Sequence, residues 1–370
     1  MKSACPRCQS KAYKRNGYTR HGKQNHRCLD CGKQFSLEAY FPNEQTEGCY
    51  MAVKNQLTLL SIQKIWDRAE HNAFTDLIRY KDLWFCSFRE SDEHVQGNNG
   101  TIRILKSKDG LEWVTAAYFS EVGVDLRDPK LSITPTGKLM LLCGGTVFNH
   151  KGQYDYLQSR VTFSTDGINW DPFTLVLSKH EWLWRLTWHK GTAYGASYSR
   201  SVPSDKKQEW HIKLFKSDDG INYEMITQWD INGYPNETTL RFLKSGQMLA
   251  LVRRDKKFDK NAWLGTSRFP YSDWNWKPLN HAIGGPNFIL LPDESIWVAG
   301  RLIFTTPYAE LEKTFAGYIE QDRVTPLLLL PSGGDCSYPG MVYHEGNIWL
   351  SYYSSHEGKA SIYLARVAIL

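Results

Sequence analysis

Six short apolar segments recur along the chain at a nearly constant interval, and this repeat constrains the fold more than any other feature. Successive segments start 48 to 56 residues apart, and most follow a turn that contains Gly or Asp. They are "LWFCSF" from Leu83, "LMLLCG" from Leu139, "AYGASY" from Ala193, "MLALVR" from Met248, "IWVAGR" from Ile296 and "IWLSYY" from Ile348. None shows the 3.6-residue period of a helix, which excludes a helical solenoid. Strand units rich in Trp, Tyr and Val at this interval are typical of propeller blades, so we predict an all-β, six-bladed β-propeller.

The ends of the repeat region indicate how the chain is divided. We predict a small N-terminal module in residues 1–36, a linker without clear periodicity in residues 37–56, and the propeller in residues 57–370. The final segment "SIYLARVAIL" is expected to pair with a strand near residues 57–66. That pairing would close the ring.

Four cysteines in the N-terminal module have the spacing of a zinc site. Cys5 and Cys8 form one Cys-x-x-Cys knuckle, and Cys28 and Cys31 form a second one nineteen residues later. Two such knuckles supply four thiolates, which complete the closed tetrahedron of a structural Zn²⁺ site. So short a segment buries little apolar surface, so the metal would supply most of its folding energy. We therefore predict a zinc ribbon.

The basic charge of the protein belongs to the ribbon alone. Residues 1–35 hold nine Lys or Arg and one acid, which leaves 36 basic and 38 acidic residues in the rest of the chain. An electrostatic case for nucleic-acid binding therefore applies only to the ribbon. The other cysteines are isolated, and no window is apolar enough for a secretion signal or a membrane span. These features predict a cytoplasmic protein without a membrane partner.

The ribbon sequence also resembles a known family. "CPRCQSKAYKRNGYTRHGKQNHRCLDCGKQF" is similar to the N-terminal zinc ribbon of insertion-sequence transposases. The resemblance implies an element that contacts nucleic-acid phosphates. In that family a helix-turn-helix follows, whereas no helical pattern follows Phe35 here. A ribbon used for protein contacts, or inherited by fusion, is the alternative.

A second repeat supports the propeller. "SKDGLEW" from Ser107, "STDGINW" from Ser164 and "SDDGINY" from Ser217 each combine an Asp–Gly turn with a following aromatic residue. Asp and Gly favour a tight hairpin turn, under which the aromatic ring can pack. We interpret these motifs as structural and assign them no chemistry.

Charged and polar residues within or beside the apolar strands are the candidates for chemistry. Such groups are costly at the centre of a propeller unless they meet a ligand or a partner. They are Arg89, Asp128, Arg185, Glu237, Arg253, Arg301, Asp335, Tyr338 and His356.

Several of these segments resemble the sialidase superfamily. The repeated S-x-D-G-x-x-W is similar to the Asp-box of that group, although it is one residue shorter. "NETTLRFLKSGQMLALVRR" resembles the blade in which a catalytic Glu precedes a carboxylate-binding Arg, which implies these roles for Glu237 and Arg253. "CSYPGMVYHEGNIWLSYY" resembles the last blade, which implies that Tyr338 is the nucleophile. "LRDPKLSITPTGKLMLL", which contains Asp128, is similar to the second blade.

The chemistry implied by this resemblance suits these residue types. A sialic acid carries a carboxylate at its anomeric centre, which would repel an anionic nucleophile. A neutral Tyr that passes its proton to Glu avoids this repulsion and forms a covalent glycosyl-enzyme. Arginines bind the substrate carboxylate in bidentate fashion. The resemblance thus implies an exo-acting glycoside hydrolase whose carbohydrate substrate need not be sialic acid.

The sequence departs from the superfamily in its arginines, since the first is missing and the third is not matched by any motif. The first blade lacks the expected Arg, since the matching stretch is "HNAFTDLI" in residues 71–78. Arg89, Arg185 and Arg301 are the remaining candidates for holding an acidic sugar. The acid/base carboxylate stays open among Asp76, Asp92 and Asp128.

Two other functions are kept as alternatives. A furanosidase-type propeller hydrolase, which uses two Asp and a Glu, also carries S-x-D-G-x-x-W turns but has five blades. A propeller without catalytic activity could instead bind an anionic glycan or a partner, with the ribbon contacting nucleic acid. In that case Glu237, Arg185 and Tyr338 would be an ion-paired acid, a stacked or ion-paired base and a buried aromatic residue.

Overall fold

The chain divides into two compact units, residues 1–54 and 55–370. The computed structural model describes residues 5, 7–8, 10–18, 24–36, 56–95, 100–149, 151–200, 210–255, 259–305 and 310–370. No helix that could cross a membrane occurs in these described ranges. Apart from Gln56, the predicted linker lies outside them.

The N-terminal unit contains one small antiparallel sheet. Its strands are β1 (Tyr13–Tyr18), β2 (Gln24–Cys28) and β3 (Gln34–Ser36), in the order β1-β2-β3. The turn from β2 to β3 carries the second Cys knuckle, and the amide of Cys28 donates a hydrogen bond to the carbonyl of Lys33 at 2.9 Å. The knuckle is therefore held by backbone bonds at the end of a hairpin.

The second unit consists of six four-stranded antiparallel sheets. The innermost strands contact one another in a closed ring, and this confirms the predicted six-bladed, all-β propeller. From the innermost strand outward, the blades are β5 (His71–Tyr80), β6 (Leu83–Ser91), β7 (Thr101–Ser107), β8 (Val114–Phe119); β9 (Val124–Ile133), β10 (Leu139–Phe148), β11 (Tyr154–Ser164), β12 (Thr174–Val176); β13 (Trp182–His189), β14 (Thr192–Arg200), β15 (Trp210–Ser217), β16 (Glu224–Trp229); β17 (Pro235–Phe242), β18 (Met248–Arg254), β19 (Trp263–Ser267), β20 (Asn275–Pro278); β21 (Gly284–Leu290), β22 (Ile296–Thr305), β23 (Glu310–Glu320), β24 (Arg323–Leu329); and β25 (Cys336–His344), β26 (Asn347–Ser354), β27 (Ser361–Ile369), β4 (Leu57–Trp66).

The last blade joins the two ends of the propeller sequence. Strand β4 pairs antiparallel with β27, with a register that runs from Ile369 opposite Leu57 to Ile362 opposite Trp66. The pairing predicted for the final segment is therefore confirmed. It supplies the outer strand of the sixth sheet, and that sheet packs against the first blade.

The second strand of each blade is an apolar run because both of its faces are covered. In β6, Trp84 packs toward the last blade, where its ring lies 4.7 Å from that of Trp349. Its neighbour Phe85 belongs to the core shared with Leu139 and Leu141 of the second blade. Alternation of side chains between two buried faces explains the unbroken hydrophobic pattern.

The Asp–Gly turns fasten the outer hairpins. In the second repeat the Ser164 hydroxyl accepts the amide of Gly167 at 2.8 Å, and Asp166 Oδ1 accepts those of Ile168 and Asn169 at 2.8 and 2.7 Å. These amide bonds hold the pKa of Asp166 well below its usual range. The same bonds recur in the other two repeats. These turns are structural, as the sequence indicated.

Every innermost strand carries a β-bulge at the equivalent point of its ladder. In each blade three steps along the inner strand face two along its neighbour. The bulged pairs are Phe74–Thr75, Asp128–Pro129, Trp184–Arg185, Asn236–Glu237, Gly285–Pro286 and Tyr338–Pro339. A bulge re-aims side chains, and a conformation repeated six times round one axis brings them together.

Gly340 is required where the last blade meets the first. A Cβ at this position would overlap the Leu77 amide nitrogen and lie 2.6 Å from the carbonyl carbon of Asp76, which is much closer than van der Waals contact. We expect Gly340→Ala to lower the free energy of unfolding by about 3 kcal/mol, because backbone atoms cannot yield easily.

Gly333→Ala is the matched control, since its added Cβ would meet only ordinary contacts at 3.7 Å or more. Denaturant unfolding should show a change within about 0.5 kcal/mol for that variant. Equal stability of both variants would contradict the close approach of β25 and β5.

Candidate active site and metal site

Tyr338 lies where the inner strands of the propeller meet. Its ring centroid is 5.1 Å from that of Phe74 in the first blade and 5.9 Å from that of Trp184 in the third. In the fifth blade, a Cβ on Gly285 would come 2.9 Å from Cγ of Tyr338, and Gly285 also has a positive φ of 56°. Only glycine meets both demands, so the absence of a side chain there makes room for the tyrosine ring.

A short hydrogen-bond network joins Tyr338 to the fourth blade. The Tyr338 hydroxyl donates to Glu237 Oε1 at 2.6 Å. Arg253 Nη1 donates to the Tyr338 oxygen at 2.9 Å and lies 2.7 Å from Glu237 Oε1. The second carboxylate oxygen of Glu237 accepts the amide of Gly285 at 3.0 Å. The carboxylate is therefore fixed at both oxygens and aimed at the phenol.

The electrostatics of this network keep the phenol protonated. Burial and the adjacent Glu237 carboxylate raise the pKa of Tyr338 far above its ordinary value, although Arg253 opposes the shift. Burial would lower the pKa of Arg253, but Glu237 and Tyr338 hold it well above its ordinary value. The result is a neutral phenol that is hydrogen-bonded to a carboxylate.

Asp128 contributes a second carboxyl group to the same place. It sits in the bulge of β9 with a φ of 50° and keeps partial access to solvent. Burial raises the pKa of Asp128, with a further increase from Glu237, while Lys130 and Arg127 oppose it. A carboxyl group whose pKa is raised can serve as a proton donor.

Lys130 follows Asp128 by two residues on β9. It is almost fully buried, and its ammonium is 4.9 Å from the centroid of the Trp184 ring. Burial, with a contribution from Arg185, lowers the pKa of Lys130 to about 8. At this pKa the ammonium still carries its charge at pH 7 and loses it as the pH rises through about 8.

Arg301 also reaches the neighbourhood of Tyr338. Its Nη1 donates to Glu312 at 3.2 Å, and its Nε finds no hydrogen-bond partner among the described residues. Burial acts to lower the pKa of Arg301, but Tyr338, Tyr353 and Glu312 raise it above its ordinary value. Arg301 and Arg253 are thus the two predicted arginines that lie beside the central tyrosine.

The other two predicted arginines are held in buried ion pairs away from the phenol. Arg89 is fully buried, and its Nε donates to Asp125 at 2.9 Å. Arg185 Nη1 lies 2.9 Å from both oxygens of Asp76. Asp76 also accepts the amide of Leu131 at 2.8 Å, so its carboxylate ties three blades together. Arg89, Arg185 and Asp76 are therefore engaged in hydrogen bonds within the protein.

The remaining sequence candidates lie at turns. Asp92 is exposed beyond the end of β6 and accepts the hydroxyl of Ser91 at 3.2 Å. His356 Nδ1 lies 2.9 Å from the hydroxyl of Ser354 in the hairpin before β27.

One candidate of the sequence, Asp335, belongs to a cluster beside the central tyrosine whose two histidines sequence reasoning missed. Asp335 Oδ2 lies 2.8 Å from His71 Nε2 and 2.7 Å from His94 Nδ1, and its other oxygen accepts the Tyr353 hydroxyl at 2.6 Å. Burial raises the pKa of Asp335, but the two histidines and Tyr353 lower it well below its usual range. His71 opens the stretch that lacks the expected arginine, and no local motif marks either histidine.

The four predicted ribbon ligands converge in the N-terminal unit. Their sulfur atoms all lie within 4.8 Å of one another. The Sγ atoms of Cys5 and Cys31, and those of Cys8 and Cys28, are 3.5 Å apart. Tetrahedral Zn²⁺ with bonds of about 2.3 Å places its thiolates about 3.7 Å apart, so the four residues fit this ion. Of the two histidines between the knuckles, His21 lies outside the described residues, and His26 packs edge-on against Tyr13.

Comparison with known proteins identifies the fold. No protein-family model and no curated protein matches the sequence. A solved Dyadobacter fermentans protein of unknown function matches with a TM-score of 0.74 at 18% identity, over 85% of this chain and 100% of that one.

Two solved glycosidases match as well. Penicillium chrysogenum alpha-L-arabinanase, complexed with arabinobiose, has a TM-score of 0.63 at 13% identity, over 83% of this chain and 98% of that one. Trypanosoma rangeli sialidase, in complex with sialic acid, has a TM-score of 0.60 at 12% identity, over 84% of this chain and 58% of that one. At these identities the likeness shows that the chain has a sialidase-like six-bladed propeller fold.

Proposed function

We propose that the propeller is an exo-acting, retaining glycoside hydrolase with Tyr338 as its nucleophile. The observation that carries this function is the 2.6 Å hydrogen bond from the Tyr338 hydroxyl to Glu237, with Arg253 contacting both groups. A buried phenol aimed at a fixed carboxylate is a nucleophile paired with its base. Glycosidases with bound sugars among the structural neighbours support a carbohydrate substrate.

The reaction proceeds in two steps. Tyr338 oxygen attacks the anomeric carbon while its proton passes to Glu237, and Asp128 protonates the departing glycosidic oxygen. A covalent glycosyl-tyrosine and a free alcohol result. Water, activated by the Asp128 carboxylate, then attacks the same carbon. The sugar leaves, and Tyr338 recovers its proton from Glu237.

Arg253 and Arg301 hold an acidic group of the sugar in this proposal. Both flank the phenol, and guanidinium groups match carboxylates in geometry as well as charge. A neutral nucleophile is then an advantage, because it is not repelled by the anion that these arginines hold. The alternative hydrolase that uses two Asp and a Glu has five blades, whereas this propeller has six. Six blades do not exclude a furanoside substrate, because an alpha-L-arabinofuranosidase of Fusarium graminearum also matches this chain in fold.

We expect Tyr338→Phe and Glu237→Gln each to lower kcat at least about 10²-fold, because each removes one partner of the proton transfer. The assay is a panel of nitrophenyl glycosides that includes α-sialosides and α-L-arabinofuranosides. Tyr343→Phe is the matched control, since this residue lies on the same strand, β25, but is exposed at its outer end. Wild-type rates in both active-site variants would exclude the assignment. A wild-type protein that binds a glycan without cleaving it would favour the binding propeller.

Asp128→Asn tests the proton donor separately. We expect a much larger loss for glycosides with alkyl leaving groups than for nitrophenyl glycosides, whose leaving groups need no proton. Burial raises the pKa of Asp128, so the acid form, and with it the first step, is present below that pKa and lost as pH rises through it. The high-pH limb of the kcat/KM profile should disappear in Asp128→Asn. Equal losses for both substrate classes would contradict this role.

We also propose that the N-terminal unit binds a structural zinc ion and contacts nucleic-acid phosphates. Its four sulfur atoms supply the tetrahedron, and its Lys and Arg residues supply the positive charge. Free thiolates require a reducing location, for which the cytoplasm is our proposal.

Replacing two ligands together, Cys5→Ser with Cys8→Ser, should remove one equivalent of zinc measured by elemental analysis. Cys143→Ala, a buried thiol of the propeller, is the control and should retain it. For the wild-type chain, the logarithm of the DNA association constant should fall linearly with the logarithm of the salt concentration. The double variant, which lacks the zinc, should not bind DNA. Binding that ignores salt would argue against phosphate contacts.

A further inference from the structure

We propose that His71, His94 and Asp335 form a second metal site, which binds a divalent transition ion such as Zn²⁺ beside the central tyrosine. One ligand atom from each residue, two imidazole nitrogens and a carboxylate oxygen, lies within 4.8 Å of the other two. This donor set suits zinc and its transition-metal neighbours rather than Mg²⁺ or Ca²⁺, which prefer oxygen ligands.

Three separate parts of the propeller bring these ligands together. His71 begins β5, His94 lies in the turn after β6, and Asp335 immediately precedes β25. The turn that carries His94 is held by arginine bonds to its backbone, from Arg89 to the Glu93 carbonyl at 2.9 Å and from Arg127 to the His94 carbonyl at 2.5 Å. The ligands are therefore placed by the blades themselves and do not depend on a chance surface arrangement.

The spacing needs only a small adjustment to admit the ion. Both imidazole nitrogens lie 2.7–2.8 Å from the same Asp335 oxygen. Zinc bonds of about 2.1 Å hold neighbouring ligand atoms about 3.0–3.4 Å apart. Both contacts must widen by a few tenths of an ångström. His94, whose side chain is 45% exposed, can supply this at one contact, and Asp335, whose side chain is 29% exposed, can supply it at the other.

The surroundings match those of a metal centre with an open coordination position. Tyr353, which is fully buried, donates to the second oxygen of Asp335 and so orients the carboxylate. Phe74 packs edge-on against His94 at 5.1 Å and against Tyr338 at the same distance, so it separates the site from the nucleophile by one ring. The exposed side of His94 leaves room for water or a substrate oxygen as a further ligand.

One feature limits the affinity of the site. Nδ1 of His71 is buried and has no hydrogen-bond partner among the described residues. When Nε2 binds the metal, the proton of the neutral ring sits on Nδ1 and stays unsatisfied, whereas metal-bound histidines usually donate this proton to an acceptor. We therefore expect this site to be weaker than the four-thiolate site and to lose its metal first when chelator is added.

Zinc stoichiometry of the full-length protein tests this site without any measurement of turnover. Zinc titration of the metal-free wild-type chain against a chromophoric chelator should show two equivalents of different affinity. His94→Ala, in an exposed turn, should keep the fold and lose the weaker equivalent. Cys5→Ser with Cys8→Ser should lose the stronger one. His344→Ala is the matched control, because His344 has a single carboxylate neighbour, Glu345, at 3.4 Å.

Cobalt substitution separates the two sites by their ligands. Cobalt bound by the ribbon should give thiolate charge-transfer absorption. Cobalt at the second site, which has no thiolate ligand, should give only the weaker ligand-field bands. Asp335→Asn and His94→Ala should both abolish the latter bands alone. A wild-type chain that binds one equivalent, with only the thiolate spectrum, would overturn the second site and leave the glycosidase proposal untouched. Retention of the weaker equivalent in both variants would overturn the ligand assignment.

Discussion

Closure of the ring by the pairing of β4 with β27 is the constraint on which the rest of the propeller depends. This pairing completes the sheet that contains Tyr338, and the contacts of Tyr338 come from several other blades. A ring that failed to close would leave the phenol without the carboxylate and guanidinium that surround it. Stability and the candidate site thus have a common origin, since both depend on joining residues from the two ends of the propeller sequence.

The centre stores conformational strain that closure holds in place. Phe74, Asp128 and Tyr338 all have positive φ values in the bulges of their strands. Such conformations cost about 1–3 kcal/mol each in residues other than glycine and persist where the surrounding structure determines them. Here they bring a carboxyl group, a phenol and a phenyl ring toward one point. The charges at that point are matched as well, because Arg253 lies against Glu237 and the phenol remains neutral.

Local patterns predicted the parts of this molecule that depend on local chemistry. The blades, the Asp–Gly turns and the closing strand follow from apolar runs at a regular interval and from turn residues. The motifs around Glu237 and Tyr338, through their resemblance to the sialidase superfamily, identified that pair as candidates. The sequence does not show which charged residues pair with one another across different strands. Arg89 and Arg185 were candidates for holding an acidic sugar, yet each meets a carboxylate from another strand that the sequence does not point to. The separations of 264 and 241 residues between Asp335 and its two histidines leave no local signal either.

The most direct measurement of the central claim is the identity of the residue that becomes covalently attached to the sugar. Incubation with a fluorinated glycosyl fluoride, chosen to match the best substrate, should trap the glycosyl-enzyme, which peptide mass spectrometry can then locate. We predict one adduct, on the Tyr338 oxygen. An adduct on Glu237 or Asp128, or turnover of the reagent without any covalent species, would contradict a tyrosine nucleophile at the centre of this propeller.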